Sequence, residues 1–210
     1  MAEMWTIGKL LTWATDWLKG QGSASARLDS QLLLGHVCGL DKVHLYVQFD
    51  RPLAQNELAV FRDLVKRRAA GEPVAYILGK KEFYSREFQV DSNVLVPRPE
   101  TEHLVDCVLA YLRQRDAEES TEEIPFSPRI VDVGTGSGAI AITVAAEIEH
   151  AVVLGIDISA AALEVAKRNA TVLGVRERVK LAQGDTLTPI RSAHSVDVVV
   201  SNPPYLDDAL

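Results

Sequence analysis

The sequence has few cysteines, no excess of positive charge and no long apolar run. Its two cysteines, Cys38 and Cys107, stand far apart and in no metal-ligand spacing. That excludes a disulfide framework, and both are read as reduced, buried thiols of a cytoplasmic protein. Lys and Arg total 22 against 29 Asp and Glu, a formal net charge of -7. This balance argues against a broad grip on nucleic-acid phosphates, so no direct nucleic-acid substrate is expected. No apolar stretch approaches the roughly 20 residues needed to span a bilayer, and no membrane association is expected. The opening residues mix Glu3, Lys9 and Asp16 with the three tryptophans, unlike a signal peptide. The five histidines, His36, His44, His103, His150 and His194, form neither a triad nor a metal pattern. What is present is a globular composition, 47% hydrophobic and 24% charged, in 210 residues. That length suits a small domain beside a larger one.

The hydrophobic period changes along the chain. Ile7, Leu10, Leu11, Ala14 and Leu18 recur at helical spacing before Gly20-Gln21-Gly22. Asp29 to Val37 continues the period, and Gly39 is a natural left-handed stop. Leu58, Phe61, Leu64 and Val65 form another stripe, closed by Arg67, Arg68 and Gly71. Residues 1–78 are therefore expected to be a helical bundle of four or five helices. Between Glu82 and Asp91 the period shortens, and a hairpin is expected with Ser85-Arg86-Glu87 between its extended runs. Residues 79–95 would be a β-hairpin linker. A helix is expected from Glu100 to Leu112, and an acidic loop from Asp116 to Pro128.

Residues 96–210 then alternate strand and helix. Strands are expected at Arg129–Val133, Ala151–Ile156, Val179–Gln183 and Val196–Val200, with helices at Ala139–Ile148 and Ala160–Leu173. Apolar strands between helices indicate an α/β fold with a parallel sheet covered on both faces.

Two turns carry chemistry. Asp132-Val133-Gly134-Thr135-Gly136-Ser137-Gly138 joins the first of these strands to its helix. Glycines there let the backbone turn tightly and approach a ligand, and the helix start offers free N–H groups. Gly134, Gly136 and Ala139 fit a dinucleotide fingerprint. Asp157, ending the second strand, can accept both hydroxyls of a ribose, in NAD or in S-adenosylmethionine, or can cap the helix after it. Asp185, in Gln183-Gly184-Asp185, falls where an adenine amino group would be met, or is a plain loop aspartate. Asp132 can hold a methionine ammonium or serve the helix start.

Asn202-Pro203-Pro204-Tyr205 follows the last strand at the carboxyl edge of the sheet, where open α/β folds bind ligands. Two prolines fix the backbone and remove donors, leaving carbonyls as acceptors. With the Asn202 carbonyl they can accept both N–H bonds of an NH₂ group, and Tyr205 can lie on its π-system. A delocalised nitrogen lone pair is a poor nucleophile. Acceptors on its hydrogens enrich the nitrogen and align it for methyl transfer.

This pair of motifs resembles the amino-group branch of class I, Rossmann-like methyltransferases. Gly71-Glu72-Pro73-Val74-Ala75-Tyr76-Ile77-Leu78-Gly79, Glu82-Phe83 and Val94-Leu95-Val96-Pro97-Arg98-Pro99-Glu100-Thr101-Glu102 are similar to the HemK/PrmC family, as are Ala26-Arg27-Leu28-Asp29 and Leu32-Leu33-Leu34. The resemblance implies S-adenosylmethionine-dependent methylation of a glutamine N5, in the Gly-Gly-Gln loop of class I peptide chain release factors. It implies a docking role for the helical domain; the protein is expected to be a monomer. The cofactor would be bound by Asp132, Gly134, Thr135, Gly136, Ser137, Gly138, Asp157, Asp185, Thr186 and Asn202. The glutamine would be held by Asn202, Pro203, Pro204 and Tyr205. The Pro97 to Glu102 stretch would line the cofactor pocket or act as an interdomain joint. Thr186 replaces an aromatic residue often found there in the family. The family continues beyond the position of Leu210, so the methyltransferase domain is expected to be incomplete at its C-terminal edge. Ribosomal-protein glutamine, a nucleic-acid adenine, an NAD-dependent reaction and an inactive truncated form stay open as alternatives.

Overall fold

A computed structural model describes residues 4–121, 123, 125–190 and 196–203. The chain divides into two units, Met1–Leu78 and Gly79–Leu210. Among the described residues no helix is long and apolar enough to cross a membrane.

The first unit contains α1 (Ile7–Gly20), α2 (Ala26–Cys38), α3 (Lys42–Val47), α4 (Gln55–Ala69) and α5 (Val74–Leu78). The Thr6 hydroxyl caps α1 by accepting from the Lys9 amide at 3.4 Å, and the stripe Ile7, Leu10, Leu11, Ala14 and Leu18 is buried. Gly39 ends α2 at φ 64°, where a side chain would be strained. Asp29, in the first turn of α2, is buried. Its oxygens accept from the Ser23 and Ser25 hydroxyls at 2.8 and 2.9 Å and from Arg68 Nε at 2.7 Å. A buried charge needs such complete pairing, and here the pairing ties the start of α2 to the end of α4.

The second unit opens with β1 (Lys80–Phe83) and β2 (Arg86–Gln89), paired antiparallel. Tyr84 and Ser85 make the turn at φ 51° and 57°; Arg86 and Glu87, expected from sequence in the turn, belong instead to β2. Positive φ at both turn positions matches the twist of a two-residue hairpin. Glycine and asparagine usually advertise that conformation, and neither is present. Phe83 and Phe88 meet edge to face at 6.0 Å and are buried with α6 (Glu100–Glu119) and α7 (Ala139–Glu147). The hairpin is also tied to α6 by the Tyr84 amide and hydroxyl, which donate to Glu102 and Asp106, each at 2.8 Å.

Helix α6 runs through Glu119, so the expected loop from Asp116 begins only at Ser120. Side chains one turn apart extend the helix: Gln114 donates to Glu118 at 2.9 Å, and Arg115 donates to Glu119 and to the Tyr111 hydroxyl. Its buried face is Thr101, Val105, Val108, Leu109 and Leu112. Cys107 lies off that stripe and is exposed, contrary to the expectation of a buried thiol; Cys38 is half-buried, and both are free.

Strands β3 (Arg129–Val133), β4 (Val152–Asp157), β5 (Val179–Gln183) and β6 (Val198–Ser201) form a parallel sheet in the order β5-β4-β3-β6. Helix α7 follows β3, and α8 (Ala160–Val172) follows β4. Helix α7 is buried from Ala139 to Ala145, where every residue but Thr143 is apolar. Helix α8 buries Ala162, Val165, Ala166, Asn169 and Ala170. The single amide on that face is fully used. Asn169 Oδ1 accepts from the Gln89 amide at 2.8 Å, and Nδ2 donates to the Gln89 carbonyl at 3.0 Å and the Ser137 carbonyl at 2.8 Å. One side chain thus fastens the end of β2 and the glycine turn to α8. Replacing it strands three backbone groups away from water. Asn169→Leu should cost about 2–4 kcal/mol of unfolding free energy, read by urea denaturation. A loss below about 0.5 kcal/mol would mean that the clamp is not formed.

Candidate active site

The register of the sheet assembles the site. Val133 pairs with Ile156 on one side and Ser201 on the other, and Asp157 pairs with Gln183. The carboxyl ends of all four strands therefore finish on one edge. From β3 the chain steps outward to β4 and β5, then returns to place β6 on the other side of β3. Strand order reverses there, and ligands of open α/β sheets bind outside the carboxyl ends at such a point. The glycine turn leaves β3 and Asn202 leaves β6 side by side, with neighbouring strands about 4.8 Å apart. Ser201 Oγ donates to the Val133 carbonyl at 2.9 Å and closes that pair of ends.

Gly134, Gly136 and Gly138 all have positive φ, at 74°, 54° and 81°. The need is sharpest at Gly138, where an added Cβ would lie 2.6 Å from Ile142 Cδ1 and 3.3 Å from Ala166 Cβ. The turn is held from below by the Ile156 carbonyl, which accepts from the amides of Gly134 and Thr135 at 2.8 and 2.9 Å. Thr135 and Ser137 are buried.

Asp132 is 1% exposed. Its Oδ2 accepts from the Thr135 hydroxyl at 2.7 Å and the Ala141 amide at 3.2 Å, so the helix-start role is real. Its Oδ1 is buried and has no partner, a state shared among the described side-chain atoms only with Thr143 Oγ1. Burial pushes the Asp132 carboxyl up to about 6, against the pull of those two bonds, and the Asp157 charge adds to the rise. An orphaned carboxylate oxygen beside a glycine turn fits a ligand with an ammonium group.

Asp157 is half-buried. Its Oδ2 accepts from the Gly136 amide and its Oδ1 from the Ser159 amide, each at 2.9 Å. The carboxylate therefore braces the glycine turn and the start of α8, with Ser159 itself capping α8 through the Ala162 amide at 3.2 Å. Each oxygen retains a lone pair for a hydroxyl. Asp185 and Thr186 follow β5 on the same edge and are exposed. Thr186 has φ 49°, a strained conformation for a β-branched residue, in a loop expected to meet a ligand.

Asn202 is half-buried and Pro203 exposed. Asn202 Nδ2 donates to Thr101 Oγ1 at 2.7 Å. Pro204 and Tyr205 lie outside the described residues. Sequence reasoning passed over two contributors. Asn169 is the one polar member of an otherwise apolar stripe on α8, and Thr101 is the one polar member of the buried stripe on α6. Such exceptions are the available signal.

Residues 9–79 match the family described as PrmC N-terminal domain, and residues 118–209 match Methyltransferase small domain. The chain is 42% identical over 205 residues to the release factor glutamine methyltransferase of Rhodopirellula baltica, covering 98% of this chain and 67% of the relative. It is 42% identical over 207 residues to the enzyme of that name from Geobacter sulfurreducens, covering 99% and 68%. With the Chlorobaculum tepidum enzyme the figures are 42% over 211 residues, 99% and 70%. The chain thus spans about two thirds of the length of these relatives.

The strained carboxylate gives a pH test. A folded value of about 6 lies above the unfolded value of about 3.9. Between the two the folded state holds a proton that the unfolded state has released, so stability falls as pH rises through this window. Relative to Asp132→Asn, the ligand-free protein should lose on the order of 2 kcal/mol between pH 4 and pH 7 in urea titrations. A constant difference between the two proteins would refute the burial strain.

Proposed function

This chain belongs to the release factor glutamine methyltransferase family, and on that premise we propose how its second unit, a class I methyltransferase domain, carries out the reaction. The methyl donor is S-adenosylmethionine, and the acceptor is the N5 amide nitrogen of glutamine in the Gly-Gly-Gln motif of class I peptide chain release factors. The observation that carries this reading is the pairing of β3 with β6, Val133 against Ser201, which brings the glycine turn and Asn202 to one mouth of the sheet.

S-adenosylmethionine, when bound, supplies a methyl group made electrophilic by its sulfonium. Asp132 Oδ1 accepts from the ammonium of the amino-acid end. Asp157 accepts from the ribose hydroxyls while keeping its bonds to Gly136 and Ser159. Gly134 to Gly138 let the backbone approach closely, with Thr135 and Ser137 shaping the turn from within. Asp185 and Thr186 stand on the adenine side.

Asn202 does the work on the acceptor. Its carbonyl oxygen takes one N–H of the glutamine amide. The backbone carbonyl at Pro203 or Pro204 takes the other, and Tyr205 stacks on the amide plane. These acceptors hold the nitrogen in line and enrich it, so catalysis comes from positioning and fixed dipoles. On gaining the methyl the amide nitrogen would carry a positive charge and both its hydrogens, as the carbon–sulfur bond breaks and the sulfur leaves neutral; that cationic nitrogen is acidic, so one proton would leave to water and no prior base would be needed. The helical first unit docks the release factor. The protein acts as a monomer in the cytoplasm, where its substrate works.

Purified protein, a class I release factor and methyl-labelled S-adenosylmethionine should place label on the Gly-Gly-Gln peptide, read by mass spectrometry. Label only in ribosomal protein or nucleic acid, or none at all with cofactor bound, would overturn the assignment. Asn202→Ala should lower kcat by roughly 10²–10³-fold while calorimetric cofactor affinity changes little. Equal losses in both would remove Asn202 from the acceptor role.

A further inference from the structure

A peptide unit beside a glycine flips at little cost, because the flip reverses the sign of φ and glycine accepts both signs about equally. The Ser137–Gly138 unit is of this kind. Gly138 stands at φ 81°, and the lack of room for a Cβ there bars a stiffer residue. The turn that opens space for the cofactor therefore needs an outside hold to keep one conformation. The Gly138 amide donates to the Thr135 carbonyl at 2.8 Å. The Ser137 carbonyl, the other end of the same unit, accepts from Asn169 Nδ2 at 2.8 Å. A flip would break both bonds at once.

Asn169 can give that hold because its amide has one sense. In the two-residue hairpin the pair Phe83 and Arg86 closes the turn, and hydrogen-bonded and non-bonded pairs alternate from there. Lys80 and Gln89 fall on a non-bonded pair, so the N–H and C=O of Gln89 face away from β1. Asn169 meets that outward edge: Oδ1 accepts from the Gln89 amide at 2.8 Å, and Nδ2 donates to the Gln89 carbonyl at 3.0 Å. A backbone N–H only donates and a backbone carbonyl only accepts. Rotated by 180°, the side chain would set donor against donor at the Gln89 amide and oxygen against the Gln89 and Ser137 carbonyls. The second hydrogen of Nδ2 is thus directed to Ser137 before any ligand arrives. Asn169 is 1% exposed, so water competes weakly for these bonds.

We infer that Asn169 is a positioning residue for the cofactor: it locks the Ser137–Gly138 peptide and keeps the glycine turn in the conformation that binds S-adenosylmethionine. This rests on the cofactor role given above to Gly134 through Gly138. A turn that samples other conformations binds with an affinity reduced by the fraction of time it is competent. Asn169 acts on the cofactor side alone. Its signature is weaker binding with near-normal turnover once the cofactor saturates, which a loss of stability does not produce.

The test compares wild type, Asn169→Ala and Leu112→Ala by calorimetry with S-adenosylmethionine, by urea denaturation, and by methyl transfer to release factor at saturating cofactor. Leu112→Ala is the control for lost stability, since it removes a buried side chain late in α6, on the stretch that leads to the start of β3 and not to its end. Asn169→Ala should raise cofactor Kd about 5- to 50-fold with kcat within about threefold. Leu112→Ala should keep Kd within about twofold despite its lower stability. In hydrogen exchange of the ligand-free proteins, the segment 134–139 should exchange faster in Asn169→Ala than in wild type, and cofactor should remove the difference. If Asn169→Ala does not fold, Asn169→Asp at pH 8 is held to the same values, since it keeps the shape and the acceptor for the Gln89 amide and loses both donors. Wild type gives a readout that needs no variant: the Nδ2 protons of Asn169 should exchange slowly by NMR. A Kd within about twofold of wild type in the folded variant, an equal rise in Leu112→Ala, or fast exchange of those protons would overturn the inference while leaving the reaction assigned. Wild type that binds no cofactor would overturn the functional reading, and the inference with it.

Discussion

Everything at the active edge depends on the register of one parallel sheet. Hydrogen bonding between β3 and its two neighbours makes Val133, Ile156 and Ser201 end at the same height. A slip would pull Asn202 away from the glycine turn and turn the strand's faces over. The register is secured by burial on both faces, which is why Ile130, Val131 and Asp132, three consecutive residues of β3, are all nearly inaccessible. The apolar run that makes the strand also makes the site, because it fixes where the polar loops begin.

Within that frame the protein holds one charge at a disadvantage. Asp132 uses one oxygen to secure Thr135 and the start of α7, and leaves the other buried without a partner. A second carboxylate, Asp157, braces the same turn through Gly136. Burial first, and the nearby Asp157 charge after it, make the ionised Asp132 carboxyl costly in the empty turn, which suits a cationic ligand. The cost is set before binding, so the gain on binding is larger than two exposed acids could give. The same logic explains why the acids sit behind glycines: Gly134 and Gly136 leave open space while the side chains of Thr135 and Ser137 are buried, so a ligand can approach.

The layout of the sheet and its strands was legible because periodicity and glycine placement report local structure. Arg129–Val133 and Val179–Gln183 were read with the bounds they have in the structure. The misreadings have separate causes. The continuation of α6 through Glu119 rests on pairs one turn apart, which an acidic composition hides. The hairpin turn at Tyr84-Ser85 adopts a conformation usually marked by glycine or asparagine, so its residues misdirected the reading. Cys107 was taken for a core thiol on residue type alone, but the helical stripe Val105, Val108, Leu109 and Leu112 turns it outward. At the site, the glycine turn, Asp157 and Asn202 were visible as motifs. Their supports were not, since the contacts of Asn169 with Gln89 and of Thr101 with Asn202 join residues far apart in the chain.

Those two supports suggest how specificity is divided in this fold. Motif residues present atoms that a ligand can touch, and their types follow from the chemistry. The residues behind them have a different task, to remove alternatives. Asn169 engages both the donor and the acceptor of Gln89 and the carbonyl of Ser137, so the glycine turn, flexible by composition, has one position relative to α8. Thr101 holds the Asn202 side chain against the start of α6. In both cases a buried polar group on an otherwise apolar helical face costs desolvation that a leucine or valine would avoid. Each offsets that cost with a hydrogen bond to a part of the site that backbone geometry alone leaves undecided. On α6 and α8 the polar exception in the apolar stripe is therefore the residue that holds the neighbouring loop.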